Sequence, residues 1–191
     1  MANNIATKGI FIMSKVFNRN ELIKICEKQN ISLGNLKEFT IPDDFDEINQ
    51  CTFEGCESLK EINIPDSVTK IGIGAFSGCK SLKEANIPAS VIEIGEGAFY
   101  DCKSLKEVNI PDNVTIIGGF AFYDCESLEK VNIPNSVTEI GKSAFKYCES
   151  LEEITIPDGV TKIGESAFSG CKSLKNINIP TGITEIKDGT F

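Results

Sequence analysis

Apolar residues recur along this chain with a period of 23. Leucine stands at 36, 59, 82, 105, 128, 151 and 174, and five residues after each leucine comes isoleucine followed by proline, from Ile41-Pro42 to Ile179-Pro180. All seven prolines fall in that column. Phenylalanine keeps the same interval at Phe53, Phe76, Phe99, Phe122, Phe145, Phe168 and Phe191, and cysteine at Cys56, Cys79, Cys102, Cys125, Cys148 and Cys171. One unit reads L-x-x-V-x-I-P-x-x-V-T-x-I-G-x-x-A-F-x-x-C-x-S, as in residues 105–127. Six full units span 36–173, and an 18-residue partial unit follows.

Within a unit, L-x-x-V-x-I ends in apolar residues spaced by two, which predicts a short strand with one buried face. Proline ends it, because it donates no ladder hydrogen bond. V-T-x-I-G predicts a second short extended segment, and Ala-Phe a turn or single helical turn with the ring inward. One unit cannot bury these side chains, but stacked units share a continuous core. Each coil then rises about 4.8 Å, the spacing of paired strands. The expected fold is a right-handed parallel β-rich solenoid.

The I-P, I-G, A-F and C-x-S-L landmarks over residues 36–191 resemble those of BspA-like leucine-rich repeats, whose unit also has 23 residues. That resemblance implies a leucine-rich-repeat coil and a non-enzymatic module that binds a protein partner. It also implies a role in adhesion at the surface of a bacterium or protist.

Unit one departs from the consensus where a cap belongs: Phe45 replaces Val, Asn49 replaces Gly and Thr52 replaces Ala. Upstream, Asn20 is expected to cap a helix over 21–28 with Leu22, Ile25 and Cys26 on one face. This helix, with a strand within 9–17, makes residues 1–35 a capping segment ahead of the solenoid at 36–191. The C-terminal edge has no such device, so Leu174, Ile177, Ile179, Ile183, Ile186 and Phe191 predict self-association or cover by further chain.

Composition removes several function classes. Asp and Glu number 28 against 19 Lys and Arg, a net charge of -9, with Arg19 the single arginine. A nucleic-acid partner is disfavoured, since phosphate binding needs a basic surface. Histidine is absent, so there is no imidazole base and no His-ligated metal. No segment reads as a signal-peptide core or a membrane span. The carboxylates recur with the repeat, mostly beside lysines, and no singular acid pair marks an enzyme.

The cysteine column is expected to hold free buried thiols. Stacked side chains run parallel, whereas a disulfide needs turned Cβ vectors about 3.8 Å apart. Cys51 and Cys56 form a lone C-x4-C pair, too little for a structural zinc site. Gly72-Ile-Gly74 and Gly95-Glu-Gly97 lack the third glycine and the helix of a dinucleotide fingerprint, so no cofactor is expected. Asn30-Ile-Ser32 and Asn113-Val-Thr115 match the glycosylation acceptor pattern at chance frequency.

Two sets of residues are candidates for binding. Asn63, Asn86, Asn109, Asn132 and Asn178, interrupted by Thr155, form an outward polar ladder whose plain role is hydrogen bonding between strands. Unit four instead turns apolar where neighbouring units are polar. Ile116 stands where Lys70, Glu93, Glu139 and Lys162 stand, Phe120 where Gly74, Gly97, Ser143 and Ser166 stand, and Tyr123 where Ser77 and Ser169 stand. With Tyr100 and Tyr147 nearby, these residues predict a protein-binding patch, because aromatic residues carry much of interface energy. The alternative from uniform repeats is a structural spacer or stalk.

Overall fold

The computed structural model describes residues 14–191, and within them the chain winds into a parallel β-solenoid built on two seven-stranded sheets. Strands are numbered along the chain. Sheet one runs β1 (Val16–Phe17), β3 (Glu47–Ile48), β5 (Lys70–Ile71), β7 (Glu93–Ile94), β9 (Ile116–Ile117), β11 (Glu139–Ile140) and β13 (Lys162–Ile163). Sheet two runs β2 (Glu38–Thr40), β4 (Glu61–Asn63), β6 (Glu84–Asn86), β8 (Glu107–Asn109), β10 (Lys130–Asn132), β12 (Glu153–Ile154) and β14 (Asn176–Ile177). Pairing is in register at the repeat interval, as in Val131 beside Val108 and Ile140 beside Ile117. The central residue of β4, β6, β8 and β10 is buried and its neighbours are exposed, as the period-two pattern requires.

The core is a set of ladders, each residue stacked on its equivalent. The Phe53-to-Phe191 rings lie 5.1–6.0 Å apart, with planes within 14° of parallel. The Ala-Phe segments are turns, not helices. Between coils, Phe53 N–H donates to Ala75 O at 2.7 Å, and Phe76 N–H to Ala98 O at 2.8 Å. The I-G glycine permits this close stacking: a Cβ on Gly95 or Gly164 would lie 2.6 or 2.4 Å from the backbone of the coil before it.

All eight cysteines are free. From the second coil on, each ladder thiol donates across the stack, Cys102 Sγ to Phe76 O and Cys125 Sγ to Phe99 O, both at 3.2 Å. The thiol therefore fills a small core site and also ties one coil to another. Burial pushes Cys56 up to about 11 and Cys171 up to about 12 from the usual 9.0, and raises Cys102 further.

At the N-terminal end the helix is longer than the spacing predicts. Helix α1 covers Arg19–Lys28, and its cap is Asn18 rather than Asn20, with Asn18 Oδ1 accepting from Asn20 N–H and Glu21 N–H. Leu22 and Cys26 are buried, and Ile25 packs against the core. Of the strand expected over 9–17, β1 covers only Val16–Phe17, Ser14 and Lys15 are not in a strand, and residues 9–13 lie outside the described ones. The substitutions of unit one fit this cap. Phe45 meets Phe17 edge-on at 5.0 Å, Thr52 Oγ1 donates to Asn49 O at 2.8 Å, and Asn49 is exposed where interior coils need glycine.

The single arginine completes the cap. In interior coils, Ala75 O and Ser77 O accept N–H bonds from the coil before. Their equivalents in unit one, Thr52 O and Glu54 O, have no such coil. Arg19 Nη1 supplies the donor instead, at 3.3 and 2.8 Å, and also reaches Cys51 O at 3.3 Å.

At the other end Phe191 is 50% exposed and Ile186 50%, and Phe168, Cys171, Leu174, Ile177 and Phe191 border an open recess of about 410 Å³. Among the described residues no helix is long and apolar enough to cross a membrane.

Three expectations follow. Arg19→Ala lowers stability by about 1–3 kcal/mol, the worth of charge-assisted bonds to carbonyls, with Arg19→Lys recovering only part; hydrogen exchange quickens first in unit one. Alkylation at pH 8 reaches Cys51 and Cys171 well before Cys79, Cys102, Cys125 and Cys148. Because the folded thiols titrate above unfolded ones, their contribution is complete below pH ~9 and is lost as pH rises through 11–12, so urea midpoints fall across that window. The 191-residue polypeptide dimerises through its C-terminal edge, and Ile177→Glu with Phe191→Glu keeps it monomeric in light scattering; a wild-type monomer at high concentration would show that the last coil covers itself.

Candidate functional site: an aromatic ridge on the turn edge

The turn after each I-G holds two positions in the left-handed backbone region. The first is occupied by Cys51, Gly74, Gly97, Phe120, Ser143, Ser166 and Gly189, with φ between 53° and 62°. The second is occupied by Gly55, Gly78, Asp101, Asp124, Tyr147 and Gly170, with φ between 57° and 77°. Glycine and aspartate adopt this region readily, but a bulky side chain costs about 1–2 kcal/mol there. Phe120 at φ 56° and Tyr147 at φ 62° are the two aromatic residues so placed. Both belong to the same surface cluster.

Tyr123 is the hub of that cluster. Its ring stacks on Tyr100 at 4.8 Å with planes 5° apart, meets Tyr147 edge-on at 5.4 Å, and lies 5.8 Å from Phe120. Tyr100 and Tyr147 are 39% and 38% exposed, whereas Phe120 and Tyr123 are half-buried. Tyr147 leans over the next coil, where a Cβ on Gly170 would come within 2.5 Å of its ring. The ridge therefore follows the solenoid axis from unit three toward unit six.

Charges line one flank. Lys103 Nζ lies 3.7 Å from Asp101, 3.3 Å from Asp124 and 2.5 Å from Glu126. Hydrogen bonds that Lys103 donates to Glu126 and Asp124 push its ammonium above the usual range. Burial, offset by Lys103, raises Asp101. Burial first, then the neighbouring tyrosines, raises Tyr123. Lys146 Nζ sits 5.1 Å over the Tyr147 ring, a cation–π contact.

Ile116 belongs to β9 rather than to the turn. It lies on the outer face of sheet one, 51% exposed, beside Glu139 in register. There it interrupts an alternation in which Lys70 pairs with Glu93 at 2.9 Å and Lys162 with Glu139 at 2.6 Å. Three further isoleucines that the column comparison does not single out are exposed: Ile31 at 36%, Ile73 at 56% and Ile92 at 59%. Ile92 was detectable as the one isoleucine in a threonine-rich column.

The asparagine column lies on the outer face of sheet two. Asn63 pairs in register with Asn86 and Asn109 with Asn132, and Asn132 Nδ2 donates to Asn109 Oδ1 at 2.9 Å. Asn178 leaves the ladder; its side chain bonds both N–H and O of Ile156, at 2.8 and 2.7 Å. Beside the column a groove of about 840 Å³ is bordered by Glu107, Asn109, Lys130, Asn132, Glu153 and Thr155. Some of its charges are paired between coils, Lys130 with Glu107 at 3.3 Å and Glu129 with the neighbouring Lys106 at 3.5 Å. Such a face offers hydrogen bonding and charge recognition rather than nucleophilic chemistry. Among the described residues no group of three or more His, Cys, Asp or Glu is placed to hold a metal ion.

Comparison with known proteins bears on the whole chain. The model of the BspA type leucine rich repeat region matches in six copies, over residues 24–152 and 138–191. No curated protein matches. Among solved structures, a leucine-rich repeat protein from Bacteroides ovatus is 39% identical, with a TM-score of 0.75 over 78% of this chain and 39% of its own. A leucine rich cell surface protein from Faecalibacterium prausnitzii is 38% identical, with a TM-score of 0.72 over 86% of this chain and 42% of its own. The T. pallidum leucine rich repeat protein is 32% identical, with a TM-score of 0.69 over 75% of this chain and 67% of its own. The chain thus spans about two fifths of the first two structures. A repeat type that implies protein interaction and generally lacks enzyme activity is shared throughout. This chain belongs to the BspA-type leucine-rich repeat family.

Proposed function

We propose that this chain is a non-enzymatic adhesion module that binds a protein partner through the ridge of Tyr100, Phe120, Tyr123 and Tyr147. The observation that carries the reading is the placement of Phe120 and Tyr147 in left-handed positions, where other units keep glycine, serine, cysteine or aspartate. Backbone strain of this kind persists where the side chain does something that an easier residue would not. Tyrosine and phenylalanine give large contact area at low cost in side-chain entropy, which suits an interface. The cell-surface description of the Faecalibacterium relative supports an extracellular setting for the same role.

The spacer reading rests on the regular Phe stack and on cross-coil ion pairs such as Lys80–Glu57 and Lys172–Glu149. The two readings differ at Phe120. If the ring only braces the turn, Phe120→Gly weakens the fold. If it is kept for binding, glycine relieves the turn, and stability stays level or rises by about 1 kcal/mol. The expected outcome is an unchanged or higher Tm for Phe120→Gly, while Phe120→Gly with Tyr123→Ser loses the proteins that the wild-type chain retains from a cell-surface preparation. A lower Tm with retention unchanged would favour the spacer.

A further inference from the structure

The ridge also carries information about the chemistry of its partner, an inference that rests on the binding reading above. Asp101, Asp124 and Glu126 all lie within ion-pair distance of one ammonium, that of Lys103. Lys80 also faces Asp101, and Lys172 faces Glu126. With Glu57 and Glu149 included, five carboxylates meet three ammonium groups, which leaves an excess of two negative charges along the flank. Elsewhere in the same column the pairing is one to one, Lys80 with Glu57 at 2.7 Å and Lys172 with Glu149 at 2.6 Å. The excess arises because the second left-handed position holds aspartate in units three and four, where Gly55, Gly78 and Gly170 stand in other units. It therefore sits beside Tyr100 and Tyr123, the stacked pair at the centre of the ridge.

We infer that the ridge accepts a protein segment in which arginine alternates with apolar side chains, the guanidinium groups meeting Asp101 and Asp124 and the apolar groups meeting Phe120, Tyr123 and Tyr147. Carboxylates beside aromatic rings favour guanidinium, which pairs in a planar fork and stacks on ring faces. A sugar ring stacking on a flat platform fits poorly, because Tyr100 and Tyr123 cover each other's facing sides. A second copy of the chain fits poorly too. A two-fold contact through the ridge would set acidic flank near acidic flank, and the single arginine, Arg19, is engaged by the carbonyls of unit one. The net charge of -9 adds long-range attraction for a basic segment.

The chain supplies its own probe. Its three tyrosines are Tyr100, Tyr123 and Tyr147 and it has no tryptophan, so intrinsic tyrosine fluorescence comes from the ridge alone. The test titrates the full chain with a synthetic octapeptide alternating arginine and leucine, and with its glutamate–leucine counterpart, following that emission. The arginine peptide is expected to bind at least about tenfold more tightly, and to weaken several-fold between about 50 and 300 mM salt. Asp101→Asn with Asp124→Asn is expected to lose about fivefold or more for the arginine peptide. Asparagine tolerates the left-handed backbone, so the turn is kept. Glu61→Gln with Glu84→Gln on sheet two is the control and leaves affinity unchanged.

Equal affinity for the two peptides, both lost in Phe120→Gly with Tyr123→Ser, overturns the charge inference while the ridge still stands as a binding site. Equal loss in the sheet-two control shows that the peptide answers only to overall charge, and overturns the inference as well. Arginine-peptide affinity untouched by Phe120→Gly with Tyr123→Ser overturns both the inference and the ridge.

Discussion

The constraint on which this structure depends is that turn and strand amides find their partners one coil away. Phe76 N–H reaches Ala98 O, and Gly78 N–H reaches Tyr100 O, each across about one strand spacing. Within the repeats, each coil is thereby stacked in register on the coil 23 residues before it. A side chain is acceptable only if it can lie against its own equivalent. Phenyl rings can, in parallel, and thiols can, because each donates to a carbonyl of another coil. Charges alternate in sign in some columns, as Lys70 with Glu93 or Lys142 with Glu165. Where Glu38, Glu61, Glu84 and Glu107 stack like on like, they stand exposed to solvent. The I-G glycine follows from the same rule, since the coil before leaves no room for a Cβ.

A lattice in one dimension has ends, and the ends cannot obey the rule. At the N-terminus, Arg19 offers guanidinium donors to Thr52 O and Glu54 O in place of a missing coil, while Leu22 and Cys26 of α1 cover the apolar side. At the C-terminal edge the ring of Phe191 stacks on Phe168 on one side and is open on the other. Stability in such an array is a sum of unit and neighbour terms, so one strong cap changes the whole balance.

The turn edge is where the array can vary most cheaply, because its side chains point away from the stack. The same turns carry the left-handed positions that make most residues costly. Glycine or aspartate meets that demand directly, and Phe120 and Tyr147 do not. The rings assemble around Tyr123 over a flank of carboxylates that outnumber their cation. Shape, strain and charge therefore depart from the repeat at one place.

The sequence by itself determined the solenoid, its two short strands per unit, the inward Leu, Ile, Phe and Cys columns and the outward Asn and Glu columns. It could do so because a repeat displays the same burial pattern several times over, and period-two alternation needs no distant contact to be read. It also singled out Phe120, Tyr123, Tyr100 and Tyr147 by their departure from their columns. Only the tertiary structure decided which departures meet. Ile116, four residues from Phe120, stands on the outer face of sheet one beside Glu139, whereas Phe120 stands in the turn that follows. The role of Arg19 depends on carbonyls more than thirty residues away, and Asn178 left its column for Ile156. The choice of Asn18 over Asn20 came from where β1 releases the chain into α1. Periodicity reports which side chains face the core. Backbone φ at the turns and the partners available at an end are set by neighbouring coils, and they exist only once the coils are stacked.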